Sequence, residues 1–587
     1  KFGRPSDDPV MEATIPSLVD PSLVEGAAPG TIVIDCSTAV PASTEKVAAM
    51  VIAQGGQFLD SPMTRTPKEA AEGRLNLLVG GDAALYQAAF AQAGAIDVLD
   101  LSDPENPVLE QTLTTNAIRM GSVVNSIAVA NGILAVAIED ATKTNPGLAA
   151  FYNTETLTLI SSIAVGAQPD MIVFTPDATK VLTANEGEPS DDYRIDPEGS
   201  VSIIDISTPA TPTVATASFS GFNAATLRAA GVRIYGPTNT AGGSIMNGAS
   251  AAQDIEPEYI TISQDNTTAF VTLQENNAIA TVDVESGAIV NIVGLGVKNH
   301  NLFNAGLDSS DRDGKIDIVA RNIQGMYLPD AIGTVDAGGN TYMVTANEGD
   351  AREYACLLGG TDAAKVEAED PRFADVADAT VDSTFKGSGI AGRMKVTQFS
   401  PANVAGTIVT PSTKVSNAFA FGTRSFTVWK ANKLDGVFGA DLVFDSGDAI
   451  ERIIAQERSR YFNADWNTST GLINAPESRS ASKGPEPEGL AIGKAYGRTW
   501  MVLALERDSG LLLYDMTNPV KPMFRQYINT SILGGDIRSN TAGDVSPEGV
   551  LFLEAEKSPT GKPMVVVSYE LSGTVAFFEV TAPGSSK

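Results

Sequence analysis

Ten acidic residues recur at matching points of a repeated phrase, and carboxylates so placed could bind cations or move protons. Asp170, Glu258, Asp330, Glu488 and Glu548 each follow a proline that opens a short apolar run. Glu186, Glu275, Glu348, Glu506 and Glu570 each close the next apolar run. Oxygen ligands without histidine or thiolate suit a hard cation, most simply Ca2+. The chain has one histidine, His300, and two cysteines, Cys36 and Cys356, in 587 residues. That all but excludes a His-rich metal site or a Ser-His-Asp triad, and gives no disulfide framework. His300 reads as an ordinary loop residue.

A second acidic group has calcium-loop spacing. In Asp308-Ser-Ser-Asp311-Arg-Asp313-Gly314-Lys-Ile-Asp317, taking Gly314 as the sixth loop position puts Ser309, Asp311 and Asp313 at one, three and five. Asp317 then falls at nine, and Ala320 stands at twelve, where such a loop has its bidentate glutamate. Tight binding would need a carboxylate from another loop; the alternative is a solvated Asp-rich turn.

The elements that position the ten carboxylates are short β runs separated by turn residues, beginning near Ile96. One unit recurs: Pro-Asp or Pro-Glu, an apolar strand, a turn, a second apolar strand ending in an acid. Its best copies start at Pro169, Pro257, Pro329, Pro487 and Pro547, with weaker relatives at Asn125 and at Ala418 running to Trp429. A third strand follows most copies, as in Ser200–Asp205, Ala280–Asp283 and Gly510–Asp515. A hairpin cannot bury both faces alone, whereas radially packed four-stranded blades can. The expected fold is mainly β: a propeller of about seven blades, with inserts near 208–253, 286–328 and 355–415. A small helix and a Gly-rich loop are expected within 221–250. Trp429, Trp466 and Trp500 read as core or blade packing rather than a sugar platform.

In such a fold, antiparallel neighbours put one strand's start beside the next strand's end. Asp170, Glu186, Glu258, Asp330, Glu348, Glu488 and Glu548 should therefore crowd one channel mouth, with Arg424 or Arg507 compensating in part. Clustered carboxylates repel, so either a cation neutralises them or protons do. The competing reading is that they bond backbone N–H groups and lock blades together.

The phrases Ala184-Asn-Glu-Gly-Glu-Pro-Ser190, Asp196-Pro-Glu-Gly-Ser200, Ala346-Asn-Glu-Gly-Asp-Ala-Arg-Glu-Tyr354, Lys483-Gly-Pro-Glu-Pro-Glu-Gly489 and Ser572-Gly-Thr574 resemble the choice-of-anchor I family of exported propellers. They run in order through 96–580. The resemblance implies a propeller domain over 93–587 and an extracellular, cell-surface or periplasmic location; it does not define a reaction.

Residues 1–92 differ in style. Thr31–Cys36 reads as a buried strand, followed by Ser37-Thr38, an Ala-rich helix and a Gly55-Gly56 stop, with further strands at Gln57–Asp60 and Leu75–Val79. This is an α/β, Rossmann-like pattern. The order Ile34-Asp-Cys-Ser-Thr38, Leu59-Asp-Ser-Pro-Met63, Ala70-Ala-Glu-Gly73 and Val79-Gly-Gly-Asp82 resembles the 3-hydroxyisobutyrate dehydrogenase family over about residues 20–90. The resemblance implies an NAD(P)-binding fragment with Ser37 and Thr38 near the nicotinamide. Thr64-Arg65-Thr66 stands where the family has small Ser-Gly-Gly. No G-x-G-x-x-G precedes the segment, and the family's catalytic lysine has no counterpart after it, so the expectation is a fused or truncated piece that does not bind NAD(P).

Composition narrows the partners. There are 71 acidic against 40 basic residues, a net charge of −31. Such a surface repels nucleic acid and anionic membranes, and no apolar run approaches a membrane span. Three functions fit, in this order: an exported, calcium-stabilised binding or scaffold propeller with an unidentified ligand on one face; a metal-dependent phosphoester hydrolase using the carboxylate mouth; and a hydroxyacid dehydrogenase resting on residues 20–90 alone.

Overall fold

The computed structural model describes residues 32–35, 57–60, 94–100, 108–190, 195–234, 249–352, 372–375, 385–397, 418–434 and 437–582. The chain divides into two compact units, Lys1–Asp97 with Gln111–Val123, and Val98–Glu110 with Val124–Lys587. In the first, Ile32–Asp35 and Gln57–Asp60 pair in parallel, Ile32 opposite Gln57, as an α/β segment requires. Cys36, Ser37, Thr38 and the strand expected at Leu75–Val79 lie outside the described residues.

The second unit is a series of antiparallel meanders. Blade 1 contains Val123–Ala130, Ile133–Glu139, Pro146–Asn153 and Leu159–Ala167. Blade 2 contains Pro169–Phe174, Lys180–Asn185, Ser200–Asp205 and Thr213–Ser218. Blade 3 runs Pro257–Ile262, Thr268–Leu273, Ala278–Asp283 and Ala288–Gly294. Blade 4 runs Ile332–Ala337, Asn340–Ala346, Phe426–Leu434 and Val437–Asp445. Blade 5 runs Pro487–Ala495, Arg498–Leu505, Gly510–Asp515 and Met523–Asn529. Blade 6 has Pro547–Leu553, Met564–Tyr569 and Thr574–Glu579. Strands Ala95–Asp100 and Val108–Thr114 precede them.

Burial follows from blade stacking. A middle strand is covered on both faces, so Lys180–Asn185 is buried from Val181 onward, while the outer strand Thr213–Ser218 is almost wholly exposed. One apolar cluster fills each gap between successive blades. Ala135, Phe151, Ile172 and Ile204 join blades 1 and 2. Leu182, Ile203, Val271 and Val282 join blades 2 and 3. Phe270, Ile279, Met343 and Trp429 join blades 3 and 4. Val344, Phe426, Leu503 and Tyr514 join blades 4 and 5, and Trp500, Val502, Val565 and Tyr569 join blades 5 and 6. First strands also touch in series, from Pro169–Phe174 round to Pro547–Leu553. Tight polar turns close the hairpins: Asp177 accepts from Thr175 and Thr179, and Asp265 from Ser263 and Thr267.

The sequence unit from Ala418 to Trp429 is not a blade of its own. Phe426–Leu434 is the third strand of blade 4, paired with Asn340–Ala346. Ala418–Phe421 instead pairs in parallel with Ile323–Met326, in a three-stranded sheet completed by Val297–Asn299. The insert expected over 355–415 separates blade 4's second strand from its third, and a linear reading of repeats counts the two halves separately. That small sheet covers its own core of Leu307, Phe373, Met394 and Phe419. The helix expected within 221–250 is Ala224–Ala229, capped by Asn223, whose side chain accepts from the Ala225 and Thr226 N–H groups.

Candidate carboxylate mouth

The Pro-acid pair opens the first strand of blades 2, 3, 5 and 6 and lies just ahead of it in blade 4, where proline's missing N–H is tolerated. Register then slips by one residue. Asn185 faces Pro169 while Ala184 faces Met171, leaving Asp170 as the extra residue of a β-bulge. The same shift sits between Pro257 and Ile260, Pro487 and Leu490, and Pro547 and Val550. In blade 4, Asp330 donates to Ala346 O while Ala331 O accepts from Ala346 N–H, so two residues oppose one there as well. A bulge re-aims a side chain that alternation would point into a blade face.

The chain enters four of the five bulges through strained backbone. Gln168, Leu328, Glu486 and Ser546, all preceding the proline, have φ of 49°, 43°, 54° and 64°. Their carbonyls accept the N–H that ends the second strand: Glu186 to Gln168 at 2.9 Å, Glu506 to Glu486 at 2.9 Å, Glu570 to Ser546 at 2.8 Å, and Gly349 to Leu328 at 3.1 Å. One local closure therefore sets both acidic positions side by side. The asparagine before the second acid is structural: Asn185 donates to Ser200 and Ser202, and Asn347 is tied to Thr345 and Thr427.

The structure brings all seven residues read from the repeats, Asp170, Glu186, Glu258, Asp330, Glu348, Glu488 and Glu548, into one electrostatic neighbourhood. Burial raises the Glu258 carboxyl well above its ordinary range, reinforced by Asp170, Glu275 and Asp330. Burial does the same to Asp330, with Glu348, Asp170 and Glu548 adding to it, and to Glu488, with Glu506, Glu348 and Asp330. Asp170 is pushed up to about 6 by burial, then Glu139 and Glu188. Glu548 feels Asp170 across the ring. Yet Asp170, Glu258, Asp330 and Glu488 are only half-buried and Glu548 is exposed: protein surrounds them while solvent still reaches them.

The mouth is electrically divided. On one side, Lys483 Nζ lies 2.5 Å from Glu348, 2.8 Å from Asp350 and 3.1 Å from Glu486. Arg479 and Arg507 also pair with Glu486, and Arg507 with Glu506 at 2.7 Å. These three cations overcome burial to hold Glu486 far below the carboxylate range. Glu348, Glu486 and Glu506 bring oxygens within 4.8 Å of one another, but the ammonium and guanidinium groups already occupy a cation's place. On the other side, the charges bearing most on Asp170, Glu186, Glu258, Asp330, Glu488 and Glu548 are all carboxylates. Among the described residues these do not form a second group of three within 4.8 Å, so they ring the opening at wider spacing than one bare ion's shell.

Arg507 supplies the compensation expected of it; Arg424 does not reach the mouth. Its guanidinium is buried on Glu451 at 2.6 Å and on the Ser480, Ser482 and Asp308 carbonyls. Lys483, Arg479 and Glu486 escaped a reading that tracked only the residue after proline, although Lys483 and Glu486 stand in the same seven-residue phrase. His300 is buried, donating from Nδ1 to Ala305 O at 2.7 Å; burial lowers its basicity. All three tryptophans are buried: Trp429 and Trp500 between blades, Trp466 outside them in a small core with Ile537, Ala542 and Val545.

In the Asp308 loop, three of the four aspartates are engaged. Asp308 accepts from the Ser310 and Asp317 N–H groups at 3.2 Å. Asp311 is held by Arg393 at 2.7 and 2.9 Å, and Asp317 by Arg321 at 2.9 Å and Lys315 at 3.1 Å. Asp313 keeps both oxygens shielded and without a hydrogen-bond partner. Gly314 takes φ +69°. A Gly-x-Gly-x-x-Gly run, Gly387–Gly392, folds as turns whose Ser388 and Ile390 carbonyls accept from Ser310 and Ser309, rather than opening a helix.

Consecutive meanders, each buried against the next, with acidic bulges converging on one mouth, define a β-propeller module with a carboxylate-ringed opening. The chain belongs to the choice-of-anchor I domain family, whose profile matches residues 78–519. Residues 10–95 match the NAD binding domain of 6-phosphogluconate dehydrogenase. The chain is 30% identical over 278 residues to a mesenchyme-specific cell surface glycoprotein of Strongylocentrotus purpuratus, covering 45% of this chain and 35% of that protein. It is 27% identical over 168 residues to Gigasin-3a of Magallana gigas, covering 28% and 57%. A segment of 66 residues is 42% identical to an NAD-dependent L-serine dehydrogenase of Pseudomonas aeruginosa, 11% of this chain and 22% of that one. In each case the match spans less than two thirds of the relative. The β-propeller domain of Cps50 (Swd1) from Myceliophteria thermophila aligns with TM-score 0.38 and 6% identity over 83% of this chain and 91% of that one. Among the described residues no helix is long and apolar enough to cross a membrane.

Proposed function

We propose that this chain is an exported binding propeller whose mouth takes a hard cation, calcium foremost, and through it a ligand on that face. The observation that supports this is the less compensated side of the mouth: Asp170, Glu258, Asp330, Glu488 and Glu548 raise one another's proton affinity, while the ion-paired cations are held by their neighbours, Lys143 by Glu188, Arg352 by Asp254 and Glu256, and Lys483, Arg479 and Arg507 by Glu348, Glu486 and Glu506. Half-buried like charges are costly unless neutralised, and a hydrated divalent ion fits wide oxygen spacing better than a bare one. Kinship with a protein named as a cell surface glycoprotein favours export.

Calcium titration of the chelator-stripped chain tests this reading. Wild type is expected to take up calcium and to melt at higher temperature with it. The double variant Glu258→Gln/Glu488→Gln should lose at least tenfold in affinity for the mouth ion. Unchanged calcium binding in that variant would sink the reading. Calcium-dependent turnover in a phosphoester panel would replace a binding module with an enzyme.

A further inference from the structure

A separate feature lies in the insert between blades 3 and 4. Asp313 sits in the Asp308–Asp317 loop with both carboxylate oxygens shielded from solvent and unpartnered. Glu477 comes from a different segment, between blades 4 and 5. It is 7% exposed, and its Oε1 is also shielded and unpartnered. Its backbone is pinned by donation to Phe462 O at 2.7 Å and by acceptance from Ser480 N–H at 2.9 Å, and it holds φ +67°, a conformation that costs a glutamate ~1–2 kcal/mol. The like charges that bear most on its side chain are Asp313 and then Asp311, with the backbone and ammonium of Lys315 opposing them in part. The carboxylate therefore lies against the loop, beside the one aspartate the loop leaves unengaged.

We propose that Asp313 and Glu477 form a calcium site, with Glu477 supplying from another segment the carboxylate that Ala320 lacks at the loop's twelfth position. Two shielded carboxylates with three unpartnered oxygens, offset only in part by Lys315, carry a penalty that a divalent cation removes. Oxygen ligands alone, with bidentate capacity at Asp313, select calcium over a transition metal. The neighbours are already committed elsewhere: Asp308 and Asp317 brace the loop, Arg393 neutralises Asp311, and Ser309 and Ser310 anchor it to Ile390 and Ser388. The site is independent of the channel mouth. Bound calcium would clasp the insert to the segment before blade 5.

The experiment is calorimetric calcium titration of the full chain, wild type against Asp313→Asn, Glu477→Gln and the mouth variant Glu258→Gln/Glu488→Gln. Each of the first two should remove one calcium equivalent or weaken it at least tenfold, while the mouth variant retains that equivalent. Melting supplies the second readout. Because the bare carboxylates repel, Glu477→Gln should melt at or above wild type under chelator and gain less than wild type from calcium. An unchanged stoichiometry and affinity in both loop variants overturns the proposal. So does a Glu477→Gln protein that melts well below wild type under chelator yet keeps its full calcium gain.

Discussion

At the scale of single residues, the mouth shows how a buried charge becomes structural or functional according to its partner. Lys483 bridges Glu348, Asp350 and Glu486 with little exposure, and the pull of those carboxylates outweighs burial, raising its own proton affinity. Removing one member of such a group strands the others, at a cost of about 3–5 kcal/mol. Lys483→Met should lower the urea midpoint accordingly, and adding Glu348→Gln should recover part of the loss. If the single variant unfolds like wild type, the lysine is an ornament of the mouth and not its brace. Glu258 and Glu488 have no comparable partner, and the same physics predicts the opposite response: neutralising them relieves repulsion.

At the scale of the element, the bulge is the device that makes a mouth out of a strand. Strict alternation from Pro547 would have sent Glu548 to one blade face; the shift between Pro547 and Val550 sends it to the opening. The turn into it is strained: Ser546 holds φ +64°, while its hydroxyl makes only a 3.5 Å contact to Glu506. Glycine adopts that conformation freely but loses ~0.5–1 kcal/mol of chain entropy, against ~1–2 kcal/mol for a left-handed side chain. Ser546→Gly should therefore raise stability by about 0.5–1 kcal/mol in thermal unfolding, whereas Gln168→Gly, which severs the bond to Glu186, should not. A destabilised Ser546→Gly would mean that the hydroxyl holds Glu506 after all. Much of this was legible in the chain. Pro-acid phrases announce strand starts, and acids after apolar runs announce strand ends, so the convergence of Asp170, Glu258, Asp330, Glu488 and Glu548 followed from repetition alone. The merging of Ala418–Trp429 into blade 4 was not legible, because an insert of some sixty residues hides that Phe426 pairs with Ala346. Nor was Glu477: nothing in a linear string ties it to a loop over 160 positions earlier.

At the scale of the whole molecule, 71 acids against 40 bases meet a fold that gathers many of those acids in one place, and stability should then depend on pH and, on the function proposed above, on calcium as well. Burial and like charge push Asp170 up to about 6; burial, partly offset by nearby arginine, lifts Glu275 to about 7 and Glu506 to about 8. These folded-state values lie above those of the unfolded chain, so the native state holds protons that the unfolded state has released. The stability they contribute is fully present near pH 4 and drains away as pH rises through 6 to 8. Carboxylates with lowered affinity, such as Asp515 at about 2, contribute only to the loss of stability in acid and leave this window untouched. Calcium needs the deprotonated form, so its stabilising effect grows as protons leave. Under chelator, the melting temperature should fall steadily from pH 5 to pH 8; with millimolar calcium it should stay level or rise, and the gap between the curves should widen with pH. Differential scanning calorimetry at pH 5, 6.5 and 8 measures both curves. Parallel curves would show that the clustered carboxylates are neutralised by the protein itself, and would leave the mouth without a resident cation.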